Sequence, residues 1–259
     1  MSAPLNQTAA VVTGASSGIG QAIAVALADA GAARVLVHYR KNRSGAEHTE
    51  QLLKQRNCEA FLCSADLSVE DDRTRLVEAA LAHLGEIQTW VNNAGVDVLT
   101  GEMANASFSE KLDRLWQVDV RGTMLLARQV ADVLKTQSAA IAPSMIFIGW
   151  DQAPRGMEGD AGIMFGPIKS AVMAFANSLA QTLAPHVRVN TIAPGWIQTA
   201  WGDETSDYWN RRAQQQSLMG RWGKPEDVAR AAVYLADPSN SFVTGQTIEV
   251  NGGWNRTFE

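Results

Sequence analysis

The sequence predicts an α/β fold in one domain over residues 1–259, a doubly wound, seven-stranded parallel sheet flanked by helices on both faces. Three observations predict it. Seven short apolar runs recur along the chain, segments of helical period separate them, and a glycine-rich turn joins the first run to the first helix. The runs are Ala9 to Thr13, Arg34 to Tyr39, Ala60 to Cys63, Thr89 to Asn92, Ser144 to Ile148, Val187 to Ile192 and Thr247 to Val250. They are nearly continuous in apolar residues, as strands covered on both faces are. Strand and helix in alternation demand crossover connections, whose right-handedness prescribes double winding, so ligands are expected beyond the carboxyl ends of the strands.

Composition narrows the function classes. With 46% hydrophobic residues, 259 residues can bury one large core. A net charge of −5 offers no long-range attraction to nucleic acid or an anionic membrane, so neither is an expected partner. Cys58 and Cys63 are too few for a disulfide framework and lack the neighbours of a zinc site, which leaves reduced thiols and no metal. No leader pattern precedes the first run and no apolar run approaches the ~20 residues that span a bilayer, so the expected location is the cytoplasm.

Thr13-Gly14-Ala15-Ser16-Ser17-Gly18-Ile19-Gly20 follows the first strand directly and opens a helix whose apolar positions include Ile23, Ala24, Leu27 and Ala28. In that context Gly14 permits the tight turn, Gly18 lets backbone approach a pyrophosphate, and Gly20 allows close packing of helix on sheet. The helix N-terminus adds free N–H groups and partial positive charge. Together these predict a Rossmann-type dinucleotide site.

The spacing Gly-x-x-x-Gly-x-Gly, with Asn92-Asn93-Ala94-Gly95 after the fourth strand, resembles the short-chain dehydrogenase/reductase family. The resemblance continues through Asp66, Lys169, the run Asn190 to Gly195, and Thr244 to Gly253, covering essentially the whole chain. It is strongest toward 3-oxoacyl-carrier-protein reductases, while His38-Tyr39-Arg40 looks like the corresponding stretch of pteridine reductases. The resemblance implies a nicotinamide cofactor, a small-molecule substrate and oxidoreductase activity. It also implies that Ser16, Ser17 and Ile19 belong to the phosphate loop, that Asp66 and Leu67 hold the adenine, and that Asn93, Ala94 and Gly95 line the channel. Lys169 would hold the nicotinamide ribose, with Pro194, Gly195, Ile197 and Thr199 toward the carboxamide.

At the end of the second strand, where an acid would accept hydrogen bonds from ribose hydroxyls, the chain carries Tyr39, Arg40 and Lys41. A guanidinium meets a phosphate through two charge-assisted hydrogen bonds, so NADP(H) is expected over NAD(H). A solvated basic loop is the plainer alternative.

The reaction centre departs from the family pattern. Phe165, four residues before Lys169, stands where the resemblance implies a proton-donating tyrosine; Gly149 and Trp150 replace the serine segment, and Asp119 fills an asparagine position. A second placement of the tyrosine, seven residues before the lysine, falls on Gly162. Losing an aligned proton donor typically costs about 10²- to 10⁴-fold in rate. The remaining acids are Asp151 first, then Asp119, Glu158 and Asp160, with a loop-turn role equally open for Asp151. Three expectations therefore stand together: an oxidoreductase with a non-standard proton relay, an impaired NADP(H)-binding protein that senses redox state, or an enzyme that uses the bound nucleotide for chemistry other than carbonyl reduction.

The segment 196–220, with mixed charges after a Pro-Gly turn, reads as an irregular, mobile flap over the substrate site. Trp150, Trp196, Trp201 and Trp209 read either as packing residues or as an aromatic rim suited to a flat, apolar substrate. Arg155 is a candidate for an anionic substrate group or a solvated charge. The helix after Lys169 is apolar around most of its circumference, with Ala171, Val172, Ala174, Phe175 and Ala176. By resemblance it pairs across a two-fold axis, and the strand Thr247 to Val250 makes a second interface, implying a homotetramer with a dimer as fallback.

Overall fold

The computed structural model describes residues 3–137, 142–199 and 207–254. Seven strands form one parallel sheet in the order β3-β2-β1-β4-β5-β6-β7. They are β1 Ala9–Val12, β2 Arg34–Tyr39, β3 Glu59–Ser64, β4 Thr89–Asn92, β5 Ser144–Ile148, β6 Arg188–Pro194 and β7 Thr247–Val250. The helices are α1 Gly18–Asp29, α2 Arg43–Lys54, α3 Glu70–Leu84, α4 Phe108–Leu115, α5 Thr123–Thr136, α6 Gly159–Leu183, α7 Asp207–Gln216 and α8 Pro225–Ala236.

Alternate residues of each strand point to opposite faces, and each face has its own core. Val12, Val35, Val37, Ile146 and Ile192 pack with Ile23 and Leu27 of α1 and Val228 and Leu235 of α8. Val11, Leu36, Trp90, Phe147 and Val189 pack on the other side with Leu76 of α3, Leu126 of α5 and Val172 of α6. Strand order reverses between β1 and β4, so the loops after those strands separate and leave a trough at their carboxyl ends.

Two buried arginines tie loops to this frame. Arg188 at the start of β6 donates to the carbonyls of Leu235 (2.9 Å) and Ala236 (3.5 Å), placing positive charge at the C-terminus of α8. Arg73 of α3 donates to the Leu67 carbonyl (2.7 Å) beneath the β3–α3 loop.

A π-helical segment, Trp116–Gly122, makes α4 and α5 one continuous helical rod. The wider π turn sets Asp119 inward, 3% exposed. Gly122 is required within it, because a Cβ there would come within 2.6 Å of the Leu67 carbonyl oxygen.

Two sequence expectations need correction. Residues 207–216, inside the segment expected to be irregular, form a helix with Ala213 buried. Helix α6 is 25 residues long and apolar enough, by length and composition, to cross a membrane, contrary to the expectation that no segment would be. It packs instead as a core helix, with Val172, Ala176, Leu179 and Leu183 buried against the sheet.

Candidate active site

The phosphate loop is braced from beneath. Thr13 Oγ1 accepts the backbone N–H groups of Asn93 (2.9 Å) and Ala94 (3.0 Å), and Asn93 Nδ2 donates to the carbonyls of Thr13 (2.9 Å) and Gly14 (3.0 Å). Gly14 has φ +63° and a Cβ there would lie 2.8 Å from Ala94 Cα. At Gly20 a Cβ would meet the Gly14 carbonyl oxygen at 2.2 Å and Asn93 Nδ2 at 2.4 Å, so this glycine lets α1 close both on the loop before it and on the residue that follows β4. Ser17 precedes α1 in extended conformation and its side chain caps nothing, leaving first-turn N–H groups for a ligand.

His38 is a residue that sequence reasoning quoted but gave no role. Its Nδ1 accepts the Gly14 N–H (3.0 Å), and its Nε2 is 3.0 Å from the Ala65 carbonyl, so the neutral ring carries its proton on Nε2 and joins three loops. Burial pushes its pKa down to about 4. Only the packing of β2 between β1 and β3 reveals this role.

Two adjoining cavities occupy the trough. The first, about 360 Å³, is lined by Gly14, Ser16, Ser17, Tyr39, Arg40, Lys41, Leu67 and Ala94 among others. The second, about 680 Å³, takes in Ile19, Asp119, Trp150, Phe165, Lys169 and the loop after β6 through Pro194, Gly195, Ile197 and Thr199. Asn93, Gly95, Val96 and Asp97 line both, making a continuous groove over the reversal point.

Asp66 is not among the lining residues. Burial acts to raise its pKa, but hydrogen bonds from Ser68 and Arg114 outweigh this and hold it near 2; Arg40 lies 3.8 Å away. Gly18 has φ +54°, and a Cβ there would meet nothing closer than Thr199 at 3.8 Å, so backbone lies open to a ligand. Open loop glycine, uncapped helix end, paired basic side chains and an elongated groove fit a dinucleotide.

At the floor of the second cavity the Lys169 ammonium lies 3.3 Å from Asp119 Oδ2, and Asp119 Oδ1 accepts the Val96 N–H (2.9 Å). Gly95 makes this possible, because a Cβ there would lie 2.7 Å from the same Oδ2. Phe165 and Lys169 are one turn apart on α6 and share the cavity face. Thr199 supplies the only hydroxyl side chain among the described residues lining this cavity. At Gly162 a Cβ would fall 2.1 Å from the Met157 carbonyl oxygen, so this backbone admits no side chain there.

The other acid candidates lie elsewhere. Asp151 is buried behind the cavity wall, where Oδ2 accepts from Asn251 Nδ2 (3.0 Å) and Oδ1 has no partner; burial raises its pKa to about 6. Glu158 pairs with Arg212 of α7, and Asp160 is exposed in the first turn of α6. Arg155 pairs with Glu249 (2.7 Å), away from the cavity lining.

Trp150, Trp196 and Trp209 all line the second cavity, while Trp201 lies outside the described residues. Trp222 joins them, brought in by the bridge between Ile197 and Gly223, a long-range pairing without a local sequence signal. Trp196 meets Trp209 at 5.6 Å and Trp222 at 5.9 Å between ring centroids.

A family model described as enoyl-(acyl carrier protein) reductase matches residues 14–255. The chain belongs to the short-chain dehydrogenase/reductase family. Tropinone reductase-like 3 of Erythroxylum coca is 32% identical over 247 residues, covering 94% of this chain and 92% of the relative. The 3-oxoacyl-[acyl-carrier-protein] reductase of Staphylococcus aureus is 29% identical over 248 residues, covering 94% of this chain and 96% of that one. Among solved structures, a 7α-hydroxysteroid dehydrogenase complexed with NADH and 7-oxo glycochenodeoxycholic acid superposes with TM-score 0.86 at 28% identity, covering 98% of this chain and 97% of that one. Members of this oxidoreductase family bind NAD or NADP.

Proposed function

We propose that this protein is an NADP(H)-dependent oxidoreductase of small carbonyl or alcohol substrates, in which Lys169 and Asp119 serve the proton chemistry that Phe165 and Trp150 cannot. The single observation that carries it is the ammonium–carboxylate pair facing the second cavity next to the dinucleotide groove. A bound nicotinamide supplies or accepts a hydride. Lys169 holds donor N–H groups toward the cavity, and Asp119, anchored by Val96, fixes their direction. Arg40 and Lys41 line the first cavity and favour a 2′-phosphate; Arg40 sits 37% exposed beside Asp66, within reach of a phosphate. Trp150, Trp196 and Trp209 favour a flat, apolar substrate.

A second reading, an NADP(H)-binding protein without turnover, is favoured by the absence of serine and tyrosine among the described residues lining the second cavity. Cofactor titration and steady-state NADPH oxidation against a carbonyl panel separate the two. Turnover that exceeds background and disappears in Lys169→Met supports the enzyme. Tight NADPH binding without turnover in the wild type or in Phe165→Tyr with Trp150→Ser supports the binder. Arg40→Asp is expected to weaken NADPH roughly 100-fold and leave NADH nearly unchanged, as loss of a bidentate phosphate contact requires. We further propose self-association through the α4–α5 rod and α6, with a second interface along β7, as a homotetramer, and a dimer as the smaller alternative.

A further inference from the structure

The second cavity combines indole faces with a negative charge balance. Trp196, Trp209 and Trp222 form one contiguous aromatic wall, and Trp150 and Phe165 add to the lining. Their affinity for positive charge is already in use nearby. The Arg212 guanidinium lies 5.1 Å from the Trp209 ring centre and 5.9 Å from that of Trp196, its own charge matched by Glu158. The charged side chains lining the cavity among the described residues are Asp97, Asp119 and Lys169, two acids against one base. Burial acts to raise the Asp97 pKa, yet hydrogen bonds from Thr100 and Leu99 hold it below the usual carboxylate range.

The reaction centre adds a second, independent constraint. Hydride addition to a ketone generates an alkoxide that requires an aligned proton donor; Phe165 and Trp150 provide none, which leaves the task to the Lys169 ammonium, itself engaged by Asp119. An acceptor that starts as a cation has no such requirement. We propose that this cavity takes a planar, apolar iminium ion as its preferred hydride acceptor, held by the Trp196–Trp209 wall and by Asp97, the acid left over once Lys169 is paired with Asp119. In that step the reduced nicotinamide is oxidised, its hydride forms a C–H bond at the iminium carbon, and the C=N π pair becomes the nitrogen lone pair. A cation and a neutral dinucleotide ring become a neutral amine and an oxidised ring, with no proton taken up. The proposal rests on the oxidoreductase reading above and refines its substrate class.

The test uses N-methyl-3,4-dihydroisoquinolinium, which is permanently cationic, and 1-tetralone, a neutral ketone of similar outline. In the cofactor-free protein, quenching of tryptophan fluorescence is expected to show the cation binding at least tenfold more tightly than the ketone. Trp196→Leu should weaken both ligands but the cation far more, removing that tenfold preference, and Asp97→Asn should weaken the cation severalfold and leave the ketone less affected. With NADPH, kcat/KM above the protein-free rate should be at least 100-fold higher for the cation. Phe165→Tyr with Trp150→Ser should raise the ketone rate and not the iminium rate. If the ketone is reduced and the cation binds no more tightly, the iminium proposal alone is overturned. If neither is turned over while NADPH binds, the oxidoreductase reading falls and the proposal with it.

Discussion

Protonation of His38 would turn the nitrogen that accepts the Gly14 N–H into a second donor, so acid acts directly on the phosphate loop. Its folded pKa, about 4, lies below the ordinary 6.5, so the folded state binds fewer protons than the unfolded chain in between. His38 therefore contributes full stability above about pH 6.5, lost progressively as pH falls toward 4. Asp151 has the opposite sign. With its pKa raised by burial to about 6 from 3.8, it destabilises the fold at neutral pH and ceases to do so as it protonates. Asp151→Asn, which keeps an oxygen for Asn251, is expected to raise the melting temperature at pH 8 by an amount equivalent to at most about 3 kcal/mol. Melting curves should show that advantage vanish near pH 4. A constant advantage across that range would contradict the buried-carboxylate account. Neither residue's role was legible from its letters, because each depends on what lies across a loop.

The π segment joining α4 to α5 shows how an element can hold one side chain in place. Gly122 lets the rod touch the Leu67 carbonyl, and the wide turn carries Asp119 to Lys169 and Val96. Gly122→Ala must move either the rod or the β3–α3 loop. It is expected to cost about 1–3 kcal/mol in urea denaturation and to weaken cofactor binding, since Leu67 lines the first cavity. Unchanged cofactor affinity would show that the rod adjusts without disturbing Leu67. The strands and α1 were legible because a buried strand is an apolar run and a glycine turn follows it. The helix α7 was not, since Asp207–Gln216 is predominantly polar and only Ala213 is buried, leaving little apolar period to read.

Across the whole molecule, large apolar side chains stand exposed in turns, as at Phe242, Met219 and Leu218, and on helices. Trp116 of the rod is 52% exposed and Ile163 of α6 is 58% exposed. Both lie on the helices proposed for self-association. Trp116→Glu with Ile163→Lys is expected to lower the mass in light scattering from tetramer to a dimer held by β7, or from dimer to monomer, with the melting temperature falling. An unchanged mass would place the interface elsewhere, β7 being the next surface to test.

The sequence by itself determined the sheet, its double winding, the dinucleotide loop and the family, because these depend on local period, glycine placement and the order of elements along the chain. It also placed Phe165 and Lys169 one helical turn apart. Tertiary structure alone decided which acid meets Lys169. Asp151 and Asp119 read alike as letters, but β6 and β7 bury the first against Asn251 while the π turn aims the second into the cavity. Likewise, only the Ile197–Gly223 bridge could add Trp222 to the aromatic wall, since contacts between distant segments are set by how helices and loops close over the sheet.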